Sequence, residues 1–203
     1  MNVYLLLTDT GTVFSTAIKK YTRKPYNHAS LALDQQLTEV YSFARKKVYN
    51  PFIGGFVKED VTKHLLNEAS CEIYCLTITP LQYEQLQMIL KQFEQDKEQY
   101  KYNLLGVLAI PLHREVHREN AYFCSQFVAH AIGAAGISLI DKPAHLITPD
   151  DFRQCKQVEL VYEGKVQNYL IQEKPELYLE QEITLREAMF HFVKQCQKRL
   201  EWK

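Results

Sequence analysis

Residues 121–136 read AYFCSQFVAHAIGAAG. Apolar side chains run through the stretch and Gly136 ends it, which predicts a short buried helix stopped by glycine. Cys124 falls at the end where that helix begins. A thiolate rather than a thiol attacks acyl carbon, and a free cysteine is mostly protonated near neutral pH. The first helical turn favours negative charge through its unpaired N–H groups and dipole. The same N–H groups can hold an oxyanion formed during acyl transfer. A nearby imidazole would complete a thiolate–imidazolium pair and later protonate the leaving group. Helix position alone leaves a second reading open, in which Cys124 is an inert core thiol packed between Phe123 and Phe127.

Working outward, the chain opens with VYLLL, which reads as a strand, followed by VFSTAIKKYT, where Val13, Ala17 and Ile18 sit at helical spacing. YNHASLALD alternates with the period of a strand, and LTEVYSFAR follows after a connection short enough for a hairpin, so two adjacent antiparallel strands are expected. NPFIGGF reads as a loop around Gly54 and Gly55, and CEIYCLTIT as a strand. Thr79, Pro80 and Gln82 form a helix start, with the helix running to about Tyr100 and burying Tyr83, Leu86, Leu90 and Phe93. After the Cys124 helix, TPDDF reads as a capped turn and QVELVYEGKVQNYL as two strands joined at Gly164. Thr184 and Glu187 open a final helix whose apolar stripe includes Phe192, Cys196 and Leu200. Strands and helices without regular alternation favour an α+β fold.

At 203 residues the chain is long enough for one well-filled core. A single domain over residues 1–203 is expected, with a helical extension from about residue 176. Lysine plus arginine equals aspartate plus glutamate, so no basic excess points to nucleic acid or an anionic membrane surface. Five cysteines lack the spacing of a disulfide scaffold, and the apolar amino terminus is too short for a membrane span and has no basic leader. The expectation is a cytoplasmic protein with reduced thiols and no transmembrane segment. Cys71 and Cys75, four apart on one strand, would be about 13 Å from each other, too far for a disulfide or a metal pair.

Most of the seven histidines make poor partners for Cys124. His113 and His117 lie in a charged stretch without the order of a zinc motif, and His130 is rotated away along the same helix. His191 sits on the final helix, and His64 and His145 fall in loop contexts. His28 begins a strand, and Glu39 on the following strand offers a carboxylate to hold its ring. Cysteine on a helix start, histidine on a strand and an orienting carboxylate make a triad arrangement, although a strand histidine is also commonly structural.

YNHASLALD, TEVYSF, YKYNLLGVL and AYFCSQFVAHAI, in this order, resemble the circularly permuted branch of the NlpC-type papain-like cysteine hydrolases, over about Val3 to Val161. In that branch the histidine strand precedes the cysteine helix. The resemblance implies a papain-like α+β core in which the cysteine helix packs on an antiparallel sheet. It implies Cys124 as nucleophile, His28 as base and Glu39 as third residue, with Tyr102 and Asn103 bordering the substrate pocket. The expected function is a cysteine hydrolase of amidase or peptidase type, working through a thioester acyl-enzyme with no cofactor or metal. Its substrate would be a small-molecule, peptide or lipid-like acyl compound. Two alternatives stand beside it: lipid acyl transfer of the lecithin retinol acyltransferase type, and a non-catalytic binding module on the same fold.

Overall fold

The amino-terminal apolar run has no polar residue in alternation, as a strand buried on both faces requires. In the computed structural model, which describes residues 1–11, 16, 19, 20, 22–45, 54–110, 116 and 118–175, that run is β1 (Asn2–Asp9). There follow β2 (His28–Ala32), β3 (Val40–Arg45), β4 (Gly54–Glu59), α1 (His64–Asn67), β5 (Ser70–Thr77) and α2 (Pro80–Gln95). Next come β6 (Lys101–Tyr102), α3 (Leu104–Ala109), β7 (Ala121–Tyr122), α4 (Cys124–Ala134), α5 (Pro149–Arg153), β8 (Glu159–Lys165) and α6 (Val166–Glu173). Six strands form one antiparallel sheet in the order β4-β3-β2-β1-β5-β8, and β6 and β7 form a separate parallel pair. The class is α+β.

Alternation along β1 serves two cores. Val3, Leu5 and Leu7 enter one, and Tyr4 and Leu6 enter the other on the opposite face. The first core is covered by α2 and α4. Leu86, Leu90 and Phe93 meet Phe127, Val128 and Ala131 over Phe43 and Phe56 of the sheet. The second is covered by α6, through Val166, Tyr169 and Leu170. No helix among the described residues is long and apolar enough to cross a membrane.

The hairpin expected from YNHASLALD and LTEVYSFAR forms, with Leu31 opposite Tyr41 and Ala32 opposite Val40. Its turn is held by Asp34, whose carboxylate accepts from the backbone N–H groups of Thr38 and Glu39. The capped start of α2 is also as expected: Gln82 N–H donates to Thr79 Oγ1 and Thr79 N–H to Gln82 Oε1. That helix ends at Gln95 instead of Tyr100, because a turn closes at once with Gln99 N–H donating to the Asp96 carbonyl.

Two segments differ from the expectation. Gly54 and Gly55 open β4 instead of lying in a loop, and Gly55 permits a close crossing, since a Cβ there would lie 2.5 Å from the Tyr100 carbonyl oxygen. Gly164 is inside β8, opposite Cys71, and the residues after it form α6 in place of a second strand. The physical reason is that Val166, Tyr169 and Leu170 recur at helical spacing and are buried together. The helices expected at Val13–Ile18 and at Thr184–Leu200, with Cys196 and His191, lie largely or wholly outside the described residues, as do His113 and His117.

Candidate active site

Cys124 is the first residue of α4, as its place in AYFCSQFVAHAIGAAG predicts. Phe123, in the N-cap position, has no side-chain acceptor to offer, so the first-turn N–H groups have no side-chain cap. The helix stops at Gly136, whose φ of 75° suits glycine, while Ile137 N–H donates to the Ile132 carbonyl. Phe127, Val128, Ala131 and Ile132 bury one side of the helix in the first core. Ser125 fixes its start, donating to the Ile147 carbonyl at 2.7 Å. Cys124 is thereby brought to the beginning of β2, where its Sγ lies 4.0 Å from the Asn27 carbonyl oxygen, next to His28.

His28, the first residue of β2, stands at the rim of the sheet. Its Nε2 is 2.8 Å from Glu59 Oε1, which leaves the other ring nitrogen to serve the thiol. Glu59 is the last residue of β4, two strands from β2. It lies opposite Val40, so its side chain emerges on the face that carries Ser42 and Ser30. Ser42 donates to Oε1 at 2.8 Å and Ser30 to Oε2 at 2.5 Å. The carboxylate is therefore clamped by two hydroxyls and the imidazole, with 6% of its side chain exposed.

Glu39 does not take this position. The register that pairs Ala32 with Val40 and Leu31 with Tyr41 puts Glu39 on the face opposite Ser42. There it accepts from Tyr41 at 2.5 Å and pairs with Lys58 at the surface. The carboxylate beside His28 is Glu59, which a loop reading of the glycine segment hides. The signal was present in GGFVKED, where Val57 and Glu59 share a face if the segment is a strand.

Electrostatics follow from this geometry. Burial works against charge on His28, but the Glu59 charge and the bonds to Cys124 and Glu59 outweigh it and push the imidazole up to about 10. Burial raises the Cys124 thiol, yet the hydrogen bond and charge of His28, with backbone bonds from Ala29 and Ser125, bring it below its ordinary value. Burial also opposes ionisation of Glu59, and again the imidazolium and the hydroxyl donors prevail, leaving its carboxyl below the usual range. Two other free cysteines move the opposite way: burial and Glu72 push Cys71 up to about 12, and burial raises Cys75.

A cavity of about 320 Å³ opens beside Cys124, with Tyr102 in its wall among Tyr26, Val107, Ile110, Phe123 and Pro149. Asn103 is not in that wall. It is 2% exposed, accepts from Gly106 N–H at 3.0 Å to cap α3, and donates to the Val116 carbonyl at 3.1 Å. Asn103→Ala should lower unfolding free energy by about 1–2 kcal/mol, the range for losing a cap, with the Val116 carbonyl also losing its donor. A urea denaturation midpoint measures this. His130 is packed against the rings of Tyr122 and Phe93, away from the thiol.

No protein-family model, curated protein or solved structure matches the chain.

Proposed function

We propose that this chain is a cysteine hydrolase on a permuted papain-like fold, with Cys124 as nucleophile, His28 as acid and base, and Glu59 as the residue that orients and charges the imidazole. The observation that carries the reading is the placement of the Cys124 thiol, on the first turn of a helix, at the start of β2 beside His28, whose ring is held at 2.8 Å by the buried Glu59 carboxylate and whose charge lowers the thiol pKa. A buried ion triad that exists only for stability would be weakly favoured, because desolvation offsets its attraction. Its position beside an open cavity supports a chemical use. The order of histidine strand before cysteine helix and the packing of that helix on an antiparallel sheet support the family resemblance.

The reaction follows from the charges. The Cys124 thiolate attacks the carbonyl carbon of an amide or ester, forming a carbon–sulfur bond and moving the π electrons onto oxygen. First-turn N–H groups of α4 stabilise that oxyanion. The intermediate collapses, the bond to the leaving group breaks, and the His28 imidazolium gives the departing amine or alkoxide its proton. Water, deprotonated by the now neutral His28, attacks the thioester and releases the acid, and the proton on His28 restores the ion pair. Glu59 keeps the ring oriented throughout, the role of the third member of a triad.

Activated acyl esters test this reading. On exposure to p-nitrophenyl acetate, one acetyl group should appear on Cys124 by intact mass and peptide mapping, and should turn over with time. Acetyl groups spread over Cys75, Cys155 and surface lysines, with none favouring Cys124, would refute it.

A further inference from the structure

Resting on the reading of Cys124 as nucleophile, we infer that the acyl group this site accepts is uncharged and apolar, of medium length, and is recognised by area instead of by polar contacts. The cavity beside the thiol supplies the size. At about 320 Å³ it has space for roughly ten non-hydrogen atoms, taking about 30 Å³ for each water-sized group.

The wall supplies the chemistry. Tyr26, Tyr102, Val107, Ile110 and Phe123 give it broad apolar surface. Its polar groups are engaged within the protein. Ser125 donates to the Ile147 carbonyl, Thr148 to Asp151 at 2.7 Å, and the Asn27 amide to Asp9 at 2.9 Å. The Tyr26 ring lies under the Arg153 guanidinium, 5.5 Å from its centroid.

Charges at the cavity close on themselves in the same way. Lys24 and Asp150 both line it, and Lys24 Nζ lies 2.6 Å from Asp150 Oδ2. Behind them Arg153 grips Glu72 through Nε at 2.6 Å and a second nitrogen at 2.8 Å, and reaches Asp150 at 3.2 Å. Gln154 adds a donor to Asp150 at 2.7 Å. Two cations face two carboxylates, so among the described residues the cluster is neutral. A substrate anion drawing Lys24 away would leave two carboxylates sharing Arg153 alone. Burying a substrate charge here meets no free partner and is disfavoured. An alkyl or aryl chain gains from every methylene it buries.

The test compares p-nitrophenyl acetate, butyrate, hexanoate and octanoate with the mono-p-nitrophenyl ester of glutaric acid, whose acyl chain ends in a carboxylate. Acylation of Cys124 is followed by nitrophenolate release and intact mass. The expected result is a second-order rate rising about threefold per added methylene up to hexanoate or octanoate, with the glutaryl ester at least tenfold slower than the hexanoyl ester. Val107→Phe, which fills the cavity, should cut the octanoyl-to-acetyl rate ratio by tenfold or more. Asp150→Asn, which releases Lys24, should raise the glutaryl-to-hexanoyl ratio by a similar factor. Equal rates across the alkyl series, or a wild-type preference for the glutaryl ester, would overturn the inference while leaving the nucleophile reading in place. Absence of any acyl adduct on Cys124, acetyl included, would instead sink the nucleophile reading itself.

Discussion

Replacing Cys124 with alanine should abolish acyl turnover, by about a thousandfold or more, because Cys124 is the one thiol in the cavity wall among the described residues and stands on a helix start beside His28. His28→Ala should cost on the order of 10² to 10⁴ in rate, the usual contribution of a positioned acid–base group. The two losses should not add, since each change removes the same ion pair: the double variant should be no slower than Cys124→Ala. A readout independent of substrate is the alkylation of Cys124 by iodoacetamide. In the wild-type protein the alkylation midpoint should lie below that of a model thiol, because His28 holds the thiol below its ordinary pKa. In His28→Ala the stabilising charge and hydrogen bond are gone while burial remains, so the midpoint should rise above that of a model thiol. An identical midpoint in the two proteins would show that His28 does not act on the thiol.

How far the chain could be read in advance depended on whether a feature was local. The capped start of α2, the β2–β3 hairpin and the glycine stop of α4 are written in adjacent residues, and each is found where expected. The places of Cys124 at a helix start and of His28 at a strand start were legible for a similar reason, since both are local properties, while their roles came only from the family resemblance. Glu59 was not, because it meets His28 only through the pairing of β4 with β3 and β3 with β2. The two glycines that opened β4 suggested a loop, whereas the smaller residue is required there by the Tyr100 backbone crossing. Glu39 stands directly before β3, the strand adjacent to that of His28 in sequence order, but the pleat turns it to the other face. Asn103 beside Tyr102 shows the same limit, with one side chain in the cavity wall and its neighbour engaged in capping α3.

Glu59 and Glu39 give the sharpest contrast between the two candidate third residues. Glu59→Gln keeps the shape and a hydrogen-bonding group but removes the charge that raises His28 to about 10. Burial, which lowers the imidazole, then dominates, so the His28 pKa should fall and the Cys124 pKa should rise. Turnover should drop by roughly a hundredfold, and alkylation at pH 6.5 should slow by about tenfold, recovering as pH approaches the thiol's new midpoint. Stability follows the same charges. The raised His28 contributes fully below its ordinary 6.5 and loses that contribution as pH rises through about 10. The lowered Glu59 contributes fully above its ordinary 4.5 and loses it as pH falls through its folded value. The difference in Tm between wild type and Glu59→Gln should therefore be greatest from about pH 4.5 to 6.5 and shrink on both sides. Glu39→Gln removes a surface pair with Lys58 and a bond from Tyr41, with 42% of each charged side chain exposed. It should change turnover and the alkylation midpoint by less than about twofold, as exposed ion pairs contribute little. Equal effects of the two substitutions on the alkylation profile would remove Glu59 from its assigned role, because only one of these carboxylates touches the histidine.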